Sequence, residues 1–301
     1  MIFSLGGIKL YRHSILTALW KQLRPRQWVK NFLVFAALLF SFEFYHIEAL
    51  GQSIFGFIVF CFTASSIYIL NDYRDREADR HHPEKKHRPM ASGALPVSIA
   101  LLTGGILLFT GLLSSFLVNK LFFAIVLIYF TMNVLYSIWL KHVVIIDIMI
   151  IAAGFVLRAI SGAVIIEVPF TPWFLLCIML LSLFLAIGKR RHELSLALEY
   201  SSNSHRKVLG DYTLPLLDQM TSIVTASTIV SYAVFTFTSG NTVHLMWTIP
   251  FVIYGMFRYL YLVHVKGKGG APEKLLFEDK HILITVLLYA IAVVLIFTIF
   301  E

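Results

Sequence analysis

The stretch "SIFGFIVFCFTASSIYIL" (Ser53–Leu70) runs straight into "NDYRDREADRHHPEKKHRP" (Asn71–Pro89). The first segment carries no charge over 18 residues, while the second holds five acidic and six basic side chains. Eighteen apolar residues reach across most of a hydrocarbon core about 30 Å thick. The abrupt change therefore reads as a helix leaving a membrane into a charged aqueous layer.

The pattern recurs along the chain. Of 301 residues 58% are hydrophobic and 14% charged, and the mean hydropathy is +0.79. No soluble domain of this length has a core large enough for that apolar surface. The apolar residues come in continuous blocks, not in the alternating segments of about ten residues that build a membrane barrel. The expected fold is an all-α integral membrane protein. Nine candidate spans lie near 29–45, 53–70, 97–117, 121–140, 143–165, 171–188, 218–238, 243–264 and 281–299. Glu43, His46 and Glu48 crowd the end of the first. The chain reads as one transmembrane domain, 1–301, with charged loops at 71–95 and 189–216. Residues 1–27 lack the apolar run and cleavage site of a leader. With Arg12, Lys21, Arg24 and Arg26 around Trp20, they read as an amphipathic basic helix on the membrane surface.

Lysine and arginine set the orientation. With nine spans, 23 of the 25 fall on one side, Lys120 alone on the other, and Arg158 within a span. That asymmetry puts the charged loops and the N-terminus in the cytoplasm. The net charge of +8 follows from it and suits a bilayer with anionic lipid. Nucleic acid is a poor partner, for no soluble module exists to carry it. Cys61 and Cys177 both lie inside spans, without metal or disulfide spacing.

The charged loops carry the chemistry. If the helix continues past Asn71, Asp75 and Asp79 lie within about 60° and 20° of Asp72 around the axis. Three carboxylates on one stripe repel one another and call for a cation. Oxygen donors of this kind suit Mg²⁺ that also holds phosphates. The other reading is a solvated loop in which Arg74, Arg76 and Arg80 neutralise the acids. Lys85, Lys86 and Arg88 follow between Pro83 and Pro89, and carboxylates beside cations suit a diphosphate. The second loop opens with "AIGKRRHEL", which supplies Lys189, Arg190 and Arg191. Asp211 and Asp218 lie further on. Within the spans, Asp147 and Arg158 share a face but stand about 16 Å apart, too far to pair. Arg158 is equally readable as a functional group or as a structural ion-pair partner. Tyr136 and Lys141 sit at the inner end of the fourth span, where an interfacial aromatic is also expected.

"NDYRDREAD" has the N-D-x-x-D-x-x-x-D form of the first aspartate motif of UbiA-type membrane prenyltransferases, and "YSIWLKHVVIIDI" resembles the junction of that family's fourth and fifth helices. The resemblance implies a nine-helix bundle enclosing a cavity open to lipid and capped by two cytoplasmic loops. The family's second motif, D-x-x-x-D, is replaced here by "GKRRHEL". Together with "LRPRQWVKNFLVFAALLFS", "DREADRHHPEKKHRPMASG" and "GFVLRAISGA", this resembles the branch that transfers phosphoribose to decaprenyl phosphate. The resemblance implies a Mg²⁺-dependent enzyme of the bacterial inner membrane, with its site facing the cytoplasm. It would move 5-phosphoribose from 5-phosphoribosyl 1-diphosphate to a polyprenyl phosphate for envelope arabinan precursors. Asp72, Asp75 and Asp79 would be catalytic and bind the metal. Asn71, Lys30, Arg24, Lys85, Arg88, Tyr136, Lys141, Arg158, Lys189 and Arg190 would meet the substrates. Extra phosphate explains the exchange of carboxylates for cations. Two other readings stand beside it: a prenyltransferase acting on an aromatic acceptor, and a transporter of an anionic metabolite. The sequence leaves room for a homo-oligomer.

Overall fold

The computed structural model describes residues 15–41, 43–82, 85–169, 171–200, 207–238, 242–270 and 272–300. Arg12 and Pro83 lie outside them. Short α1 (Ile15–Leu23) precedes a 3-10 helix, Pro25–Phe35, and α2 (Ala36–Phe40). Long α3 (Ile47–Arg74) is followed by α4 (Arg76–His81), and then α5 (Val97–Val118), α6 (Lys120–Ile138) and α7 (Ile146–Ile165) run in succession. The second half holds α8 (Pro172–Tyr200), α9 (Leu214–Thr238), α10 (Ile249–His264), α11 (Pro272–Glu278) and α12 (Lys280–Phe300). No strand occurs among the described residues.

Eight stretches are long and apolar enough to cross a membrane: α3, α5, α6, α7, α8, α9, Val243–His264 and α12. They match eight of the nine expected spans. The first, 29–45, is not a continuous α-helix. Arg24 adopts a left-handed conformation with φ 55° and Pro25 follows it, so the chain turns sharply out of α1 into 3-10 geometry. A 3-10 helix has three residues per turn, and inward positions here recur every three. Trp28 donates from Nε1 to Ser65 Oγ at 3.1 Å, while Asn31 and Val34 are buried. With α2, the segment extends about 30 Å.

Gly162 of α7 makes this packing possible. A Cβ there would overlap the Val34 carbonyl, so only glycine lets the two backbones meet. Val34 and Leu38 join Phe60 of α3, Phe122 and Tyr129 of α6, and Ala163 of α7 in one core. A second core joins Ile148, Ile187 and Leu194 to Val208, Leu209 and Tyr212. A third packs Leu39 and Phe40 against Val293 and Phe297, which ties the irregular segment to α12. Of the eight, α3 and α7 are the most enclosed, while α5 and α12 are the least enclosed. On α1, Ala18 and Gln22 face inward and Leu16 and Trp20 are exposed, the sidedness expected of a helix lying along a bilayer surface.

Gly162→Ala is expected to lower stability by about 1–3 kcal/mol through overpacking, seen as a lower midpoint of thermal unfolding in detergent. Gly105→Ala, where nothing lies within 4 Å of the added carbon, should leave the midpoint unchanged or raise it slightly.

Candidate active site

The first acidic motif does not form one stripe. α3 ends at Arg74, Asp75 stands at the joint with φ −87° and ψ 3°, and α4 begins at Arg76. Asp72 and Asp79 are each 3% exposed. Arg88 links them, donating from one nitrogen to Asp72 at 2.8 Å and to Asp79 at 2.6 Å. Arg24 donates to Asp72 at 2.5 Å, and its guanidinium lies over the Tyr68 ring at 5.0 Å. Gln22 adds a third donor to Asp72 at 2.8 Å. Carboxylates this deep are held only by such charge-assisted bonds.

Asp75 faces elsewhere. Its side chain is 44% exposed and lies 3.7 Å from Lys141 Nζ, in the turn after α6. Among the described residues Arg76 and Arg80 bind Glu77 and not the motif's aspartates. Hydrogen bonding from Arg76 holds the Glu77 carboxyl below the usual carboxylate range. Lys85 is exposed in the 3-10 turn Lys85–His87, and Lys30 is partly buried in the irregular segment.

A second network occupies the junction of α6, α7 and α8. The expected loop at 189–216 is helical as far as Tyr200, so Lys189, Arg190 and Arg191 belong to α8. Arg190, expected to meet a phosphate, is instead 1% exposed and fully engaged inside the protein. Its Nε donates to Asp147 at 2.6 Å, one terminal nitrogen to Glu193 at 2.6 Å, and the other to Tyr136 Oη at 3.2 Å. Tyr212 donates to the second oxygen of Asp147 at 2.8 Å. Burial pushes the Tyr212 phenol well above its ordinary pKa, so it remains a donor. Arg191 pairs with Asp218 at 2.5 Å.

Arg158 makes a third network, in which no ion-pair partner occurs among the described residues. It donates to Asn31 Oδ1 at 2.7 Å, to the Gly154 carbonyl at 2.8 Å and to Tyr129 Oη at 2.6 Å, and sits over the Tyr129 ring. It therefore fastens the 3-10 segment to α6 and α7.

The structure thus gathers Arg24, Asp72, Asp79 and Arg88 in one cluster, with Asp75 and Lys141 beside it as a separate pair. Arg158 lies in a different network, and so do Tyr136 and Arg190. Gln22, Asn31, Tyr129 and Tyr212 were not singled out from the sequence. Gln22 had a signal, standing one turn from Ala18 on the inward face of α1.

A metal tests the cluster further. Among the described residues no three His, Cys, Asp or Glu side chains converge on one point. The donors still suit a hard cation. Asn71 Oδ1 and Gln22 Oε1 are buried with no hydrogen-bond partner among the described residues, and Arg88 supplies the positive charge between Asp72 and Asp79.

Residues 32–281 match the model of the UbiA prenyltransferase family. The chain belongs to that family. UbiA-type membership agrees with the fold, since a UbiA homolog from Archaeoglobus fulgidus solved with GPP and Mg²⁺ superposes with a TM-score of 0.71, covering 94% of this chain and 100% of that one at 19% identity. A decaprenyl-phosphate phosphoribosyltransferase of Mycolicibacterium smegmatis is 35% identical over 283 residues, covering 89% of this chain and 88% of the relative. One from Corynebacterium glutamicum is 35% identical over 285 residues, covering 91% and 85%. Within the UbiA family, the chain's similarity to proteins of this name extends over nearly its whole length.

Arg190→Met leaves Asp147 buried without its cation. It is expected to cost roughly 3–5 kcal/mol, and Asp147→Leu in the same chain should restore part of that. A double-mutant cycle on unfolding midpoints checks both.

Proposed function

We propose that this chain transfers the 5-phosphoribosyl group of 5-phosphoribosyl 1-diphosphate to a polyprenyl phosphate and releases diphosphate. The reading rests on one observation above others: cations stand wherever this chain meets its own acidic motif. Arg24 and Arg88 bind Asp72, and Lys141 approaches Asp75. A prenyl diphosphate presents one anionic group. Phosphoribosyl diphosphate presents two, and the acceptor lipid adds a third, so the site needs more cation than carboxylate. Near full-length similarity to proteins named decaprenyl-phosphate phosphoribosyltransferase supports the same substrates.

In this reading Asn71, Asp72 and Asp79 would hold Mg²⁺, joined by Asp75 once its side chain turns from Lys141, and the ion would supply positive charge to the diphosphate. Arg24 and Arg88, preset by Asp72 and Asp79, hold the diphosphate oxygens and take up charge as the C1–O bond breaks. Lys85, Lys141, Lys30 and Lys189 accept the remaining phosphate groups. Arg190 acts indirectly, fixing Tyr136 and Asp147. The phosphate oxygen of the lipid attacks C1 from the opposite face with inversion. It is already anionic at neutral pH and needs no strong general base. The polyprenyl tail lies among the apolar helices, and the charged ends face the cytoplasm of a bacterial inner membrane. The lipid-linked phosphoribose then serves arabinan precursor synthesis.

Purified protein in detergent, given Mg²⁺ and labelled 5-phosphoribosyl 1-diphosphate, should move label into the lipid phase only when polyprenyl phosphate is present. Excess EDTA should abolish transfer. Asp72→Ala should lower it roughly a hundredfold or more. Prenylation of an aromatic acid from a prenyl diphosphate, with no lipid-linked label, would overturn the proposal.

A further inference from the structure

Ile145, between α6 and α7, has φ 69° and ψ −45°. The Ile146 N–H reaches back to the Val144 carbonyl at 2.8 Å, which closes a γ-turn around it. This form of γ-turn is rare and strained, and a β-branched residue at positive φ is a genuine outlier. Such a conformation persists only where the surroundings over-determine it.

The surroundings here are specific. The Ile145 N–H donates to Tyr212 Oη at 2.7 Å, and that hydroxyl donates in turn to Asp147 at 2.8 Å. Arg190 anchors the other oxygen of Asp147. Asp147 is fully buried and Tyr212 is 3% exposed. Tyr212 closes the second polar segment, Lys207–Asp211, whose Val208 and Leu209 pack with Ile148 and Ile187. On the other side of the turn, the 3-10 stretch Leu140–His142 presents Lys141 to Asp75 at 3.7 Å. Three residues thus separate the strained turn from a cation at the aspartate motif.

We infer that Tyr212 is a positioning residue: by locking the γ-turn at Ile145 it sets Lys141 against Asp75, so the second polar segment governs how the first motif binds the diphosphate donor. The consequence for binding rests on the phosphoribosyltransferase reading. The lock itself does not. One phenolic oxygen serves as acceptor for the turn and donor to the buried carboxylate, and no other residue type in the segment offers both on a rigid ring.

The test uses the full chain and four variants: Tyr212→Phe, Ile145→Gly, the two combined, and Tyr212→Phe with Lys141→Ala. Phenylalanine keeps the packing and removes both hydrogen bonds. Glycine adopts positive φ without needing a lock. Tyr212→Phe should raise KM for 5-phosphoribosyl 1-diphosphate about fivefold, the scale of one lost hydrogen bond, with kcat changed less than about twofold. Adding Ile145→Gly should bring KM back to within about twofold of wild type. Lys141→Ala should raise KM by an amount that Tyr212→Phe no longer increases, since both act through the same ammonium. Hydrogen exchange over 139–147 should quicken in Tyr212→Phe and slow again in the double variant. Unchanged exchange in Tyr212→Phe, a KM effect that Ile145→Gly leaves in place, or strict additivity with Lys141→Ala would overturn the inference. If the wild-type protein transfers no phosphoribose, the functional reading falls, and the exchange data alone decide the lock.

Discussion

Two carboxylates buried at the mouth of a membrane bundle are stable only beside positive charge, and in this protein one guanidinium serves both. Arg88 bridges Asp72 at the end of α3 and Asp79 in α4, while Arg24 reaches Asp72 from the turn after α1. Much else follows from that bridge. It ties the 71–95 segment down onto the bundle and brings the basic surface helix to the acidic motif. It also leaves a partly exposed, cationic surface above two enclosed carboxylates, a surface suited to oxygen-rich anions rather than to a carboxylate-held metal alone.

The same economy of charge shapes the interior. A charged group within a bilayer is costly and marks a functional or architectural point. Asp147 and Arg190 neutralise one another, with Glu193, Tyr136 and Tyr212 satisfying the remaining capacity. Among the described residues, Arg158 meets neutral acceptors and aromatic faces. Its position is dictated by the segment it holds: Asn31, buried in the 3-10 helix, is the residue that Arg158 engages. Gly162 lets that segment come close enough for the bond to form. The two anchors hold two different elements, one the segment that bears Lys30 and follows Arg24, the other the junction that bears Lys141.

Hydrophobic runs made eight of the spans legible, because a long apolar helix needs no tertiary partner to announce itself. The aspartate motif and its basic companions were equally plain, and Arg24, Asp72, Asp79 and Arg88 do meet. The expected span at 29–45 was legible as apolar length but not as a 3-10 helix, because hydropathy records length and not pitch. Trp28, Asn31 and Val34 stand three apart, a spacing that an α-helix also brings near one face. The extension of α8 to Tyr200 was hidden by its charges, which read as loop although lysine, arginine, glutamate and leucine all favour helix. The joint at Asp75 escaped because helical angles assume an unbroken helix. Pairings such as Asp147 with Arg190 and Ile145 with Tyr212 cross 43 and 67 positions, and no local pattern encodes them.

On the proposed reading, this cationic site takes a donor with phosphate at both ends of a sugar. Equilibrium binding of labelled 5-phosphoribosyl 1-diphosphate to the purified protein, in the presence of Mg²⁺ and without acceptor lipid, tests it most directly. Binding should be saturable, displaced by unlabelled diphosphate, displaced far less well by geranyl diphosphate, and weakened by Arg88→Gln. Binding of geranyl diphosphate in preference to the sugar donor, or binding indifferent to Arg88, would contradict it.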